Sequence, residues 1–360
     1  TGAIPPEDRA PVAYMVDISS GQVLYARNER RRFVPASITK VMTLMLAFEL
    51  IEEGKLDPDR IVTIGESLAE EWSGTGSSMR LEAGDEVSVH DLLIGIATVS
   101  ANDGSIALAD AALGSVDAWT KAMTAKARDL GLEESHFATP NGWPDEGQTF
   151  VTAHDLSILA EAMIAKHPGK YATYIGRPEF TYNDRTGRNY DPITGQVEGA
   201  DGIKTGFTNE AGFGFLGSAK RGDQRLVMVL AGAYRRSDRE ELSRSFMEWG
   251  FSAFDRRALF GKGDVVAPAR VQNGSQRKID LVTDREIVIN VPKQSAGELT
   301  IQVTYDGPLR APIQAGERVA MLEITAPDMA PASIPLVARS SVAQAGFFDR
   351  IINAVTELFS

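Results

Sequence analysis

The stretch RRFVPASITKVMTLMLAFELI, residues 31–51, sets a hydroxyl three residues before an amine: Ser37-Ile38-Thr39-Lys40, at the mouth of an almost polar-free run. On a helix, residues three apart share a face, with Cβ atoms about 5–6 Å apart. At a first turn the Ser also sits on free backbone N–H groups, which together with the helix dipole favour a developing negative charge. One turn can therefore supply a nucleophile, a base and half of an oxyanion site. The apolar surroundings have a purpose in that reading, because desolvation lowers a Lys pKa and only a neutral Lys accepts a proton. Alone the motif is weak. In a chain of this size about one or two Ser-x-x-Lys matches arise by chance, and Ser37 is read equally well as a helix cap beside an ordinary surface Lys. A second match, Ser275-Gln276-Arg277-Lys278, follows Asn273-Gly274 in a polar turn with no helix after it, and is set aside.

Two further motifs change the balance. Ser100-Ala101-Asn102 is the chain's sole Ser-x-Asn and ends an apolar helical pattern; Lys204-Thr205-Gly206 is its sole Lys-[Ser/Thr]-Gly and stands directly before a strand pair. Each alone reads as a turn. In this order, and each in its expected setting, they form the Ser-x-x-Lys, Ser-x-Asn, Lys-Thr-Gly set of serine penicillin-recognising enzymes.

The elements that must position these residues follow from periodicity. VAYMVDISSGQVLYAR (12–27) predicts two strands around a Ser-Ser-Gly turn. Residues 38–51 predict a helix apolar on nearly every face, buried mid-domain. SVHDLLIGIATVS (88–100) opens with Ser88 and Asp91 at capping-box spacing. Residues 118–132 predict an amphipathic helix stopped at Gly131, and 154–168 another ended before Pro168. FGFLGSAKRGDQRLVMVLAGAY (213–234) predicts a strand, a Lys-Arg-Gly-Asp turn and a strong second strand. Helices flanked by strands at both ends predict an α/β (α+β) domain with an antiparallel sheet over residues 1–258. After FGKGD the texture changes to short β-rich segments between Gly, Pro and Asp turns, which predicts a small all-β domain, sandwich or barrel, over 259–340. Residues 341–360 are a separate tail.

Composition narrows the function classes. The 360 residues carry 37 Lys+Arg against 49 Asp+Glu, a formal net charge of −12, which argues against a nucleic-acid partner. The absence of Cys removes disulfides, thiolate metal sites and Cys nucleophiles. The four His (His90, His136, His154, His167) lack metal-ligand spacing, so no metal is expected. The opening TGAIPPEDRA has neither an initiator Met nor an apolar signal core, the pattern expected of a processed chain. No apolar run reaches the ~18 residues of a membrane span.

With the three motifs stand AYMVDISSGQVLYARN, PASITKVMT, GSSMRLEAGDEVSVHDLLIGIATVSANDGSIALAD, LGLEESHFATPNGWPD, DGIKTGFTNEAGFGFLGSAKRGDQRL and FMEWGF. Over essentially its whole length the sequence resembles the low-molecular-mass D-alanyl-D-alanine carboxypeptidases of the penicillin-binding protein 5 type. The resemblance implies a β-lactamase-like catalytic domain, a small β-rich domain and a membrane-associating tail. It implies a serine DD-carboxypeptidase that removes the terminal D-alanine from peptidoglycan stem pentapeptides, is acylated by β-lactams, and uses no metal or organic cofactor. By motif, Ser37 is the acylated nucleophile, Lys40 its base, and Ser100 the relay of the proton to the leaving nitrogen. Asn102 would bond the substrate backbone. Lys204 would hold positive charge near Ser100 and help keep Lys40 neutral, and Thr205 would contact the substrate carboxylate. Gly206 of the same motif is counted with them among the substrate-binding residues, and the N–H groups of Ser37 and Phe207 would form the oxyanion hole. Arg239 matches an Arg near the terminal carboxylate, with Arg235 and Arg236 as competitors. Two departures stand out: Ala101 where the family usually has Gly, and Phe207 where it often has His.

Other readings are a peptidoglycan endopeptidase, which the same site would serve, a class A β-lactamase, and, from another class, a non-enzymatic peptidoglycan-binding scaffold. The β-lactamase needs a Glu to activate the deacylating water; Glu133-Glu134 lies in roughly the right region without the Glu-x-x-x-Asn spacing. In the tail, Phe347, Phe348, Ile351, Ile352, Val355, Leu358 and Phe359 fall on one face of a helix. That predicts peripheral attachment to the outer face of the cytoplasmic membrane, in the periplasm; the alternative is a helix docked on the protein or on a second copy in a homodimer.

Overall fold

The computed structural model describes residues 2–294, 299–325 and 331–346. The tail helix expected over 341–360 does not begin at 341, because Val342 is buried in the core of the second unit and bridges Ile313, and Gln344 bridges Gly274; from residue 347 on the expectation lies outside the described residues. The chain separates into two compact units, divided between Ser252 and Ala253. The division falls before the expected 258 because residues 254–260 form a strand that pairs with residues 287–292 of the second unit.

In chain order the first unit runs β1 (Val12–Asp17), β2 (Gln22–Arg27), a 3-10 turn (Ala36–Thr39), α1 (Lys40–Glu52), β3 (Ile61–Thr63), α2 (Glu66–Trp72), β4 (Glu86–Ser88), α3 (Val89–Thr98), α4 (Asn102–Leu113) and α5 (Val116–Asp129). It continues with α6 (Ala153–Lys166), α7 (Pro168–Tyr174), β5 (Glu179–Tyr182), β6 (Arg185–Arg188), β7 (Ala200–Thr208), β8 (Gly212–Arg221), β9 (Gln224–Ala233) and α8 (Arg236–Ser252). The main sheet is antiparallel with order β2-β1-β9-β8-β7. Both its faces are covered. Val12, Tyr14, Val16, Val227 and Val229 belong to the core shared with α1 and α6. Ala13, Met15, Leu226, Met228 and Leu230 alternate with them and meet Leu242, Phe246 and Met247 of α8. Burial on both faces is why β9 reads as the continuous apolar run LVMVLAGA rather than as an alternating strand.

The local signals are used as expected. Ser88 Oγ accepts from the Asp91 N–H at 3.0 Å and caps α3, and Ser115 and Thr152 cap α5 and α6 in the same way. Gly222 has φ +60 in the two-residue turn that joins β8 to β9. Pro168 ends α6 but also opens α7, a first-turn position that tolerates its missing N–H. The small helix α2, the helix α4 and the β3–β4 and β5–β6 hairpins were not expected from periodicity.

The second unit contains β10 (Phe254–Phe260), β11 (Val265–Gln272), β12 (Lys278–Val282), β13 (Ile287–Pro292), β14 (Thr300–Thr304), β15 (Leu309–Arg310), β16 (Arg318–Thr325) and β17 (Ala332–Ala338). A six-stranded sheet of order β14-β16-β17-β12-β11-β15 and the two-stranded β10-β13 sheet share one core, with Leu281, Ile289, Leu322, Ile324 and Leu336 at its centre. This is the expected small all-β unit. Ser275 lies in the turn after β11 and Lys278 opens β12, with no helix following in the chain among the described residues, as the sequence indicated. Among the described residues no helix is long and apolar enough to cross a membrane.

One buried carboxylate ties the helical layer to the loop that precedes β4. Asp103, 0% exposed on the first turn of α4, accepts from Ser78 Oγ (2.6 Å) and from the N–H groups of Met79 (3.0 Å), Leu81 (3.0 Å) and Gly104 (2.8 Å). Asp103→Ala strands backbone donors in a dry interior, so urea unfolding should show a loss of at least about 3 kcal/mol. A loss below 1 kcal/mol would mean that these donors find other partners.

Candidate active site

Ser37 does not cap an α-helix. It is the second residue of the 3-10 turn, and Lys40 opens α1 directly behind it. The effect on geometry is favourable: at three residues per turn, positions i and i+3 lie over one another. Lys40 Nζ stands 2.9 Å from Ser37 Oγ. It donates to Asn102 Oδ1 at 2.8 Å and to the Asn141 carbonyl at 2.6 Å. Lys40 is 0% exposed, and its three polar neighbours are uncharged oxygens. Burial, and then the charge of Lys204, push its pKa well below the ordinary Lys value, with Asp103 opposing. A neutral amine has two N–H bonds and one lone pair. With both N–H bonds used by Asn102 and Asn141, the lone pair is left facing the Ser37 hydroxyl.

The turn is held in a strained shape. Ala36, immediately before Ser37, has φ +50, a region costly for a residue with a Cβ. Two glycines close on it. A Cβ at Gly142 would lie 1.8 Å from the Ala36 carbonyl oxygen, and one at Gly206 would lie 2.4 Å from that of Pro35. Only glycine lets the loop at 142 and strand β7 approach the nucleophile this closely.

Ser100 also has a left-handed backbone, φ +62, between α3 and α4; its Oγ is buried without a hydrogen-bond partner. Ala101 is buried at φ −55, where a methyl is unstrained, and its methyl is tolerated because residue 104 is Gly: a Cβ there would come within 3.1 Å of it. Asn102 is the first residue of α4. Besides accepting from Lys40, it donates Nδ2 to the Thr75 carbonyl at 3.0 Å and its N–H to the Ser77 carbonyl at 2.8 Å. Its amide is thus oriented by protein on both ends, with one Nδ2 hydrogen left over for a ligand.

Strand β7 carries Lys204, Thr205 and Gly206, all buried, and Phe207, 48% exposed and stacked on Phe213 with centroids 4.1 Å apart. Lys204 Nζ donates to the Thr205 carbonyl at 3.2 Å, and burial followed by the Arg239 charge pushes its pKa down to about 7. Among the three competing arginines, Arg235 pairs with Asp238 and Arg236 with Glu240, both substantially exposed. Arg239 is the buried one, at 3%; its guanidinium lies 5.6 Å from the Phe213 ring, its Nε has no partner, and burial and Arg236 push its pKa down to about 10. Arg239 keeps one long ion pair, Nη2 to Glu240 at 3.9 Å, and its charge disfavours that of buried Lys204, a setting that favours an incoming anion. Glu134 is engaged by Arg30 at 2.9 Å and Glu133 is exposed.

Sequence reasoning missed Asn141. Its role here is through a backbone carbonyl, for which no residue type is diagnostic, and the Asn-Gly pair reads only as a turn. It also missed Asp103, which follows the Ser-x-Asn motif directly, and the glycines at 76 and 142.

Residues 1–235 match the D-alanyl-D-alanine carboxypeptidase peptidase family, and residues 254–344 match the penicillin-binding protein 5 C-terminal domain. The chain is 35% identical over 355 residues to D-alanyl-D-alanine carboxypeptidase DacD of Escherichia coli, covering 96% of this chain and 90% of that protein. Penicillin-binding protein 5 from Haemophilus influenzae superimposes with a TM-score of 0.83 at 29% identity, covering 95% of this chain and 100% of that one. Penicillin-binding protein D2 from Listeria monocytogenes in the ampicillin-bound form superimposes with a TM-score of 0.61 at 28% identity, over 68% of this chain and 98% of that one.

The two lysines predict a pH profile. Lys204 is a cation below about 7 and neutral above it. With Lys204 as the partner of the benzylpenicillin carboxylate, the expectation carried from the sequence, the second-order rate constant for covalent reaction should fall as pH rises through about 7. In Lys204→Arg, where the charge persists, this limb should move out of the neutral range. A limb unchanged in the variant would assign it to another group.

Proposed function

The chain belongs to the D-alanyl-D-alanine carboxypeptidase family and is a serine-type D-Ala-D-Ala carboxypeptidase, and from that premise we propose how its residues divide the work. Neutral Lys40 takes the Ser37 proton as Oγ attacks the carbonyl of the penultimate D-alanine. The negative charge that develops on the carbonyl oxygen is received by the backbone N–H groups of Ser37 and Phe207. Ser100 relays the proton held on Lys40 to the nitrogen of the terminal D-alanine, giving up its own hydroxyl proton and receiving that of Lys40, as the C–N bond breaks. That D-alanine leaves with its carboxylate released from Lys204, Thr205 and Arg239, and water then hydrolyses the Ser37 ester. Asn102 and the Lys204-Thr205-Gly206 strand hold the substrate backbone in line. The observation that carries this reading is the 2.9 Å approach of a fully buried amine, bonded only to uncharged oxygens, to the Ser37 hydroxyl. Such an amine gains more from being a base than from being a cation.

Fluorescent penicillin should label the protein covalently at Ser37, and the protein should release D-alanine from a pentapeptide ending in D-Ala-D-Ala. Ser37→Ala should abolish both, and EDTA should affect neither. Lys40→Arg keeps the charge but not the base, so acylation should fall by ~10²–10⁴. An adduct on another residue, or a Lys40→Arg variant acylated at the wild-type rate, would overturn the assignment. A β-lactamase reading finds no support in Glu133 or Glu134, since Glu134 is held by Arg30.

We further propose that residues 347–360 attach the enzyme to the outer face of the cytoplasmic membrane, in the periplasm, where its peptidoglycan substrate lies. What supports this is the apolar face of Phe347, Phe348, Ile351, Ile352, Val355, Leu358 and Phe359. One Arg against Asp349 and Glu357 gives no basic face, so attachment rests on apolar burial, at about 1.5–3 kcal/mol per fully buried large side chain. In liposome flotation the full chain should float and a chain ending at Gly346, which keeps the pairing of Ala343 and Ala345 with the second unit, should not. If neither floats while both release D-alanine, the tail serves the protein itself or a homodimer.

A further inference from the structure

Trp143 is 40% exposed, yet it is fixed from three directions. Trp72 of α2 meets it edge-on, with centroids 5.6 Å apart and planes at 86°. Its backbone N–H donates to Asn141 Oδ1 at 2.9 Å, in the residue whose carbonyl holds Lys40. Gly76 lies against its ring: a Cβ there would be 2.9 Å from Trp143 Cζ3 and 2.8 Å from Asn102 Nδ2. A single methyl at residue 76 would thus touch both the indole and the amide. Gly76, at φ +62, has none, and the indole and the Asn102 amide are neighbours on one open edge of the site.

An isolated exposed aromatic needs no explanation. This one is different because the loops that anchor it are the loops that hold the base and the substrate-binding amide, and because its backing ring is itself an aromatic. A rigid, half-open indole costs little conformational entropy on meeting a ligand and offers a large apolar face. We propose that Trp143, backed by Trp72, is a specificity-determining residue that forms the apolar wall of the acyl-donor berth. It favours donors that carry an aromatic or aliphatic group on the acyl side of the bond that Ser37 attacks. The placement rests on the reading of Ser37 and Asn102 given above. A donor strand bonded to the free Nδ2 hydrogen of Asn102 brings the substituent one residue back from the scissile carbonyl over Gly76 and onto the ring. Trp143 does not touch the reacting atoms, so its effect falls on discrimination between donors rather than on the chemistry common to all of them.

The test compares two β-lactams that share the reacting nucleus: benzylpenicillin, with an aromatic acyl side chain, and 6-aminopenicillanic acid, with none. The readout is the ratio of their acylation rate constants on the full chain. Trp143→Ala should lower the ratio about tenfold, the scale of a lost apolar contact in a specificity pocket, and Trp143→Phe should restore most of it. Damage to the Asn141 loop or to Lys40 slows both compounds together and leaves the ratio unchanged. An unchanged ratio, whatever the absolute rates, therefore overturns the proposal, as does a ratio that Phe fails to restore. A wild-type protein inert to both compounds would instead sink the reading of Ser37, and this inference with it.

Discussion

The amine of Lys40 sits in a dry interior with no carboxylate bonded to it, and four separate pieces of chain meet to keep it so. The 3-10 turn brings Ser37 over it, α4 begins with the amide that receives one N–H, the 139–143 loop delivers the carbonyl that receives the other, and β7 brings the nearby charge of Lys204. None of these contacts would stabilise the protein better than an ion pair or a methionine in the same space. A buried amine among neutral acceptors is a stability cost borne for reactivity. Asp103 shows how narrowly this is arranged. It favours a charged Lys40, yet its oxygens are already taken by three backbone N–H groups and the Ser78 hydroxyl.

The same economy governs the backbone. Ala36 and Ser100 hold left-handed conformations that neither residue type prefers, one beside the nucleophile and the other at the second motif. Gly142 and Gly206 remove the side chains that would push the walls of the site apart. Strain and close approach are tolerated because the surroundings are rigid. Thr43 Oγ1, one turn along α1 from Lys40, donates to the Pro140 carbonyl at 2.6 Å and anchors the base of the 139–143 loop. The helix that carries Lys40 therefore also carries the support for its carbonyl partner.

Much of this was legible from the sequence. The three motifs, the β1–β2 and β8–β9 hairpins, the capped start of α3 and the β-only second unit followed from spacing, turn residues and periodicity. What escaped were features with no residue-type signature. The carbonyl of Asn141 is available from any amino acid. Helix α4 was hidden because its first turn, Asn-Asp-Gly-Ser, reads as a loop, and only the burial of Asn102, Asp103 and Ser105 makes it a helix. The choice of Arg239 over Arg235 and Arg236 is a matter of helix phase at the start of α8, where one of three arginines turns inward and the others meet Asp238 and Glu240. The 3-10 form of the Ser37 turn likewise left no mark distinguishable from the α-helix that follows.

The strand order has a consequence for how the molecule comes into being. Strand β1 spans Val12–Asp17 but is flanked by β2 on one side and by β9, Gln224–Ala233, on the other. The earliest strand of the chain to be synthesised cannot complete its hydrogen-bond ladder until more than 200 later residues exist. Contacts of such sequence separation are formed late and slowly, because the loop entropy is lost before the pairing is gained. Until then the N-terminal hairpin shows apolar side chains on both faces of β1 with nothing to cover them. Until β9 is available the main sheet cannot close around β1. Until β9 emerges, the unpaired edge of β1 is exposed to wrong pairing with other strands.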